Sequence, residues 1–425
     1  MEQETPTAAA LPREKPARLV SLDAYRGAIM LFMASGGLAL PQVAKQFPDS
    51  PVWSFLAFNT EHVPWVGCSL WDLIQPSFMF MVGVAMPFSI ASRRARGDSE
   101  KRIAAHVLYR ALVLVLLAVF LYSERHRRTN FVFTNVLGQI GLGYAFLYPL
   151  LGRGLRVQVT ALAGILIGYW LLFLLWPLPA AEATSYSGVG EPYARDWALN
   201  YPNWFAHWDK HTNAAAALDR WFLNLFPRDK PFEFEGGGYQ TLNFVPSLGT
   251  MILGLMAGEL LRKPINKWRK LGWLLVSALV CLGLGWLAGD YVCPIVKRIW
   301  TPSWVLFSAG WTFVMLAGFF FVIDIVGLRR WAFPLIVVGM NSIAMYLMAN
   351  LIAGWVARSL QIHLGPLALP SLTYIVRPVL GLMNVAVDPV WLNNTFGPIV
   401  QSAAVLFVLW LICLWMYRRG VFLRI

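Results

Sequence analysis

The sequence predicts an all-α, polytopic membrane protein with about ten transmembrane helices. Three observations lead there. The 425 residues are 58% hydrophobic and only 13% charged, with a mean hydropathy of +0.56, more apolar surface than a soluble chain of this length can bury. The apolar residues fall into long runs separated by short polar breaks. The 20 Trp and 14 Tyr suit the aromatic belts that form where lipid meets water.

A helix needs about 20 apolar residues to cross a hydrocarbon core about 30 Å thick. Ten segments qualify: 24–42, 69–91, 105–122, 131–150, 157–178, 241–261, 271–289, 302–326, 333–356 and 397–417. Residues 1–17 are polar, lack an apolar run of their own and read as a disordered cytoplasmic tail, not a cleaved signal. Residues 18–425 then form the membrane domain. With the N-terminus inside and the sides alternating, the inner groups hold 22 Lys and Arg against 8 Asp and Glu. The outer segments hold 13 against 14. The net charge of +13 is therefore the positive-inside bias of short loops and not a nucleic-acid surface. Both termini are expected in the cytoplasm. The basic outer loop SERHRRTN at 123–130 runs against this orientation.

Two outer segments are long. Residues 180–240 read as a small folded extracytoplasmic cap, with TNAAAALDRWFLNLF forming a helix capped by Thr212 or Asn213. Residues 359–396 are interrupted by Pro366, Pro370, Pro378 and Pro389. A full span there would put the basic C-terminus outside, so the segment is expected to be re-entrant or interfacial.

Few residues in this sequence carry chemistry. His62 precedes the second span, where an imidazole can act as base, acid or nucleophile, or simply face water. Asp72 lies ten residues on, inside the apolar run, where a carboxylate needs a partner or a cavity. Glu61 adjoins His62 and reads as solvated. His106 and Arg110 share a helical face near the inner end of the third span. They either snorkel to the headgroups or form an anion site. Asn135 and Gln139 share a face of the fourth span, and Asn341 and Ser342 sit within the ninth; both pairs fit helix–helix contacts or a polar lining. HWDKH puts His207 and His211 four apart, a zinc-compatible spacing without a third ligand, and no metal is expected. The three glycines of EGGGYQTLN read as a turn into the sixth span. Cys68 and Cys293 fall on the same side, as free thiols or a pair.

The ordered set RLVSLDAYRG, EHVPWVGCSLWDLIQPSFMFMVG, ALDRWFL, IWTPSWVLFSAGW, GMNSIAMYL and YRRGVFLRI resembles the heparan-alpha-glucosaminide N-acetyltransferase family across residues 18–425. The resemblance implies transfer of acetyl from cytosolic acetyl-CoA to the amine of a glucosamine beyond the membrane. It implies that His62 is the active-site histidine and Asp72 its acid. It maps Asp23 and Arg26 to an inner-face motif; with Arg110, Gln139 and Asn341 these are the expected donor-binding residues. The chain departs from the family pattern at Ala34, where relatives carry Asn, at Gln139, where they carry Arg, and at residues 237–240, where an acidic stretch becomes Gly-Gly-Tyr-Gln. A divergent bacterial-type member is implied, in the inner cell membrane, with an acceptor other than heparan sulfate.

The expected partners are acetyl-CoA, an amino-sugar or glycan acceptor, the lipid bilayer and a second copy in a homodimer; nucleic acid is not among them. The layout suits this chemistry, because a cationic inner rim attracts the phosphates of CoA and a thin, mostly neutral thioester arm can thread between helices. His62 would then serve as general base or as acetyl carrier. The competing classes are a sugar or glycolipid permease or flippase, which would favour broken helices and internal repeats, and an inactive scaffold. No internal repeat is evident in the sequence.

Overall fold

Helices form along the apolar runs, and six of them open on a capping side chain. The computed structural model describes residues 19–124, 126–178, 204–365 and 389–423, and among these the only strand-like pairing is an isolated antiparallel bridge, Val66–Val296. The helices are α1 (Val20–Ala34), α2 (Leu40–Ala44), α3 (Pro51–Phe58), α4 (Ile74–Ala95), α5 (Glu100–Ser123), α6 (Val136–Leu147), α7 (Leu155–Leu174), α8 (Ala214–Phe222), α9 (Phe244–Arg262), α10 (Lys267–Tyr291), α11 (Pro302–Phe319), α12 (Phe333–Met340), α13 (Ser342–Leu351), α14 (353–365) and α15 (Pro389–Arg418). Ser50, Ser99, Asn135, Asn213, Asn266 and Thr301 each accept a hydrogen bond from a backbone N–H of the first turn that follows. Such a cap satisfies a donor that the helix itself cannot. Asn213, one of the two residues expected to cap the helix of the cap segment, performs this role.

Seven helices are long and apolar enough to cross a membrane, and two bent pairs raise the number to nine among the described residues. The remaining expected span, 131–150, is a shorter apolar helix over Val136–Leu150. The protein is a multi-pass, all-helical membrane protein. The tail 1–17 and much of the expected cap and re-entrant segment (179–203 and 366–388) lie outside the described residues. Where 359–396 is described it is helical, and α15 begins at Pro389, well before the expected start at residue 397.

Two central helices organise the bundle. About 67% and 72% of the apolar windows of α4 and α9 are buried, against 17–28% for α5, α7, α10 and α15. The close pairing of α4 with α9 needs Gly83 and Gly254, because a Cβ on either would collide with the other helix's backbone. Small residues at such crossings let helices in lipid approach closely. The bends are local. Gly36, Gly37, Leu38 and Ala39 all take left-handed φ values between 51° and 69°, and the chain turns by 44° after α1. Asn341 breaks the α12–α13 pair by 69°.

Candidate active site

The entry to α4 places the first carboxylate. A 3-10 turn over Trp71–Leu73 leads into the helix and holds Asp72 only 1% exposed. A buried carboxylate is costly unless both oxygens are satisfied. Here Oδ2 accepts from the backbone N–H of Val63 (3.2 Å), the backbone N–H of Ser69 (3.1 Å) and the Ser69 hydroxyl (2.9 Å). Oδ1 lies 2.7 Å from His62 Nδ1 and 3.3 Å from Lys297 Nζ. The imidazole thus donates from Nδ1 to Asp72, and Nε2 is left with its lone pair on a side chain that is 37% exposed. A ring locked in this tautomer with a free Nε2 is the arrangement that general bases and nucleophilic histidines require.

Lys297 completes the cluster from 235 residues away, its Nζ 3.1 Å from His62 Nδ1. Burial pushes its ammonium down to about 8, with the Asp72 carboxylate pulling it back up. Burial also lowers the His62 pKa below 6.5; the hydrogen bond to Asp72 opposes this, and the Lys297 charge adds to it. The imidazole is therefore neutral at pH 7, and the cation beside it favours that state.

The loop between α10 and α11 fixes Lys297. Its backbone joins the His62 loop through the Val66–Val296 bridge and the Gly67 N–H to Ile295 carbonyl bond of 3.0 Å. Thr301 donates to the Pro294 carbonyl (2.8 Å) and accepts from the Val296 N–H (3.0 Å). Trp300, with φ of 48° and no exposed surface, anchors the turn. The Tyr169 hydroxyl donates to the Ile299 carbonyl and Asn243 to the Arg298 carbonyl. The Gly237–Tyr239 turn closes the other side. Gly238 takes φ of 83°, and a Cβ there would press into the Trp65 ring. The turn sets Tyr239 6.5 Å from the His62 ring, under the cations of Lys297 and Arg298. The departure from the family pattern at residues 237–240 therefore falls beside the histidine.

Along α4, from Phe78 down to the end opposite Asp72, lies a cavity of about 560 Å³. Asp23, Arg26, Arg93, Arg96, His106 and Arg110 are on its wall. Arg93 pairs with Asp98 at 3.3 Å and lies 2.7 Å from His106 Nε2. Arg110 stacks on Tyr144 and donates to its hydroxyl (3.3 Å), yet its Nε is buried without a partner. A guanidinium is always charged, so an unsatisfied N–H in a cavity wall is open to an anionic group. The residues present thus fit a phosphorylated co-substrate. Along α4 the wall runs from Arg96 to Phe78, a rise of about 27 Å at the helix pitch.

His62 and Asp72 are brought together as the sequence predicts, and Asp23, Arg26 and Arg110 share the cavity with His106. Gln139 and Asn341, the other two expected donor-binding residues, are not on its wall. Gln139 is buried and donates to the carbonyls of Phe133 and Thr241. Asn341 clamps the C-terminal segment, donating to the Val421 carbonyl (3.1 Å) and accepting from the Leu423 N–H (3.1 Å). It reaches the cavity indirectly, through Phe422 and Leu423 on the wall. Cys68 and Cys293 are free thiols, and burial pushes Cys68 up to about 12. His207 and His211 do not share a helical face, because the 3-10 turn ends at Trp208 and His211 takes φ of 69°. Lys297, Ser69 and Tyr239 were not singled out by their sequence pattern. The pair Lys297–Arg298, placed outside between two apolar spans and against the charge bias, is the signal that could have flagged the first.

These features define a multi-pass helical membrane protein with a preorganised His–Asp–Lys cluster at one end of its central helix and an arginine-lined cavity at the other. No protein-family model matches the chain. It is 24% identical over 376 residues to human heparan-alpha-glucosaminide N-acetyltransferase, covering 78% of this chain and 52% of the relative, and 23% identical over 375 residues to the mouse protein of the same name, covering 79% and 53%. The chain is a distant homologue of that acetyltransferase family, and it spans about half the length of the curated relatives it matches.

Proposed function

We propose that the protein is a membrane-bound acyltransferase that moves acetyl from cytosolic acetyl-CoA to the amine of an amino sugar presented on the extracytoplasmic side of the inner cell membrane. The observation that carries this reading is the cavity, which runs along α4 from an arginine-rich mouth towards the helix end that holds Asp72 and His62. Arg26, Arg93, Arg96 and Arg110 suit the phosphates of CoA, and the apolar upper wall suits the thioester arm. His62 Nε2 removes a proton from the attacking amine as the new C–N bond forms, the C–S bond breaks and the thiolate of CoA departs. In the covalent variant Nε2 itself attacks the carbonyl carbon, expels the thiolate and then passes acetyl to the amine. Asp72 fixes the ring in either case. Tyr239 and Arg298 border the open face on which an acceptor would rest.

The experiment is purified protein in detergent with radiolabelled acetyl-CoA and a panel of amino sugars, simple amines and neutral sugars. Label should move to an amine, and none should move to the neutral sugars. The broken helix at Asn341 favours a second reading, a sugar permease, since transporters use such breaks at their binding sites. Sugar uptake by vesicles lacking acetyl-CoA, without acetyl transfer, would decide for it.

A further inference from the structure

The cavity-facing stripe of α4 does not stop where the cavity wall does. Between Trp71 and Pro87 partial exposure recurs only at Trp71, Gln75, Phe78, Val82 and Ala85. Every other residue in that stretch is buried. The spacing of four, three, four and three traces one face of a helix. Phe78, Val82 and Ala85 are on the cavity wall, as are Ser89 and Ser92 further down the same face. Gln75 lies one turn above Phe78 on that face, and Trp71 one turn above Gln75. The Trp71 ring is 6.4 Å from the His62 ring. The face thus leads from the arginines to the histidine, and Gln75 is the polar residue on its last turn.

The Gln75 side chain makes no hydrogen bond to the protein among the described residues, although it sits in the second position of a membrane helix whose neighbours Ile74, Pro76 and Ser77 are buried. Gln75 is half-buried and its amide is not among the buried unpaired groups, so its N–H donors stay accessible to a ligand. Helix rise places Gln75 about 27 Å above Arg93, a gap that an extended thioester arm and the arginine's own reach can span.

We infer that Gln75 is a further catalytic residue, whose Nε2–H donates to the carbonyl oxygen of the acetyl thioester beside His62. This rests on the acyl-transfer reading. As the nitrogen nucleophile forms its bond to the carbonyl carbon, the C=O electron pair moves to oxygen, where the Gln75 amide stabilises it. When that pair returns, the C–S bond breaks and sulfur leaves as thiolate. Gln75 is unchanged throughout. A single donor of this kind in a dry site is worth about 10²-fold in rate.

The test combines access and kinetics. In a Cys68→Ser background, Gln75→Cys should react with a water-soluble thiol reagent, and acetyl-CoA should protect it. The Gln75→Leu variant should bind acetyl-CoA as wild type does but lose about 10²-fold in kcat, and Gln75→Asn, which keeps the amide, should lose less. Failure of Gln75→Cys to label, or labelling that acetyl-CoA leaves unaffected, overturns the assignment. So does wild-type kcat in Gln75→Leu while the wild-type protein transfers acetyl. If the wild-type protein itself transfers no acetyl, the acyl-transfer reading fails first and takes Gln75 with it.

Discussion

The two ends of α4 solve opposite problems. At the His62 end the carboxylate is fully held: Asp72 accepts from two backbone N–H groups, a hydroxyl and the imidazole and lies against an ammonium, which leaves His62 Nε2 free. At the arginine end several cations share one cavity with few carboxylates, and Arg110 keeps a buried N–H without a partner. The first arrangement fixes one geometry and one protonation state, which chemistry needs. The second gathers positive charge and one unpaired N–H in a cavity wall, which suits recognition of a polyanion. On the acyl-transfer reading the comparison separates binding from reaction along one helix, so each should fail alone.

The sharpest way to break the comparison is at His62. His62→Ala should lower kcat by about 10³-fold and leave acetyl-CoA affinity unchanged, read by radiolabel transfer beside calorimetry; weakened binding would mean that the two ends are not separate. Asp72→Asn follows. It should lower kcat by about 10²-fold or more, within the range of general-base catalysis, by allowing the wrong tautomer. It should also cost about 3 kcal/mol of stability, because it strips the buried Lys297 of its counter-charge, seen as earlier thermal unfolding in detergent.

Lys297→Met tests the same end through pH. In the wild type, activity should rise as His62 loses its proton below pH 6.5 and fall as Lys297 loses its own near 8. The variant should lose the alkaline fall. Its acid limb should move to higher pH, because the neighbouring cation that disfavours imidazolium is gone. An unmoved acid limb would show that Lys297 does not act on the imidazole. The smallest effect is expected at the other end. Arg110→Met should weaken acetyl-CoA binding about tenfold, or about 1.4 kcal/mol, reduce the salt dependence of binding and spare kcat.

Much of this was legible in the sequence where the physics is local. Apolar run length located the helices, and His62 and Asp72 stand only ten residues apart, with the carboxylate conspicuous inside an apolar run. The His106–Arg110 spacing put two cavity residues on one face. Lys297 was illegible because its role depends on the Val66–Val296 bridge, a contact across 230 residues that no local pattern encodes. Gln139 shows the opposite limit. A polar residue in a span fits a binding site or a backbone partner equally well, and here it serves the Phe133 and Thr241 carbonyls. The bends at residues 36–39 and Asn341 were hidden as well, since hydropathy averages over a kink.

The docking of residues 292–301 onto the His62 loop has a bearing on biogenesis. A chain halted during synthesis after α9 would already own the imidazole and its carboxylate, yet lack the ammonium that settles their shared charge. The cluster is therefore incomplete until the loop between α10 and α11 has been made and has docked onto the His62 loop.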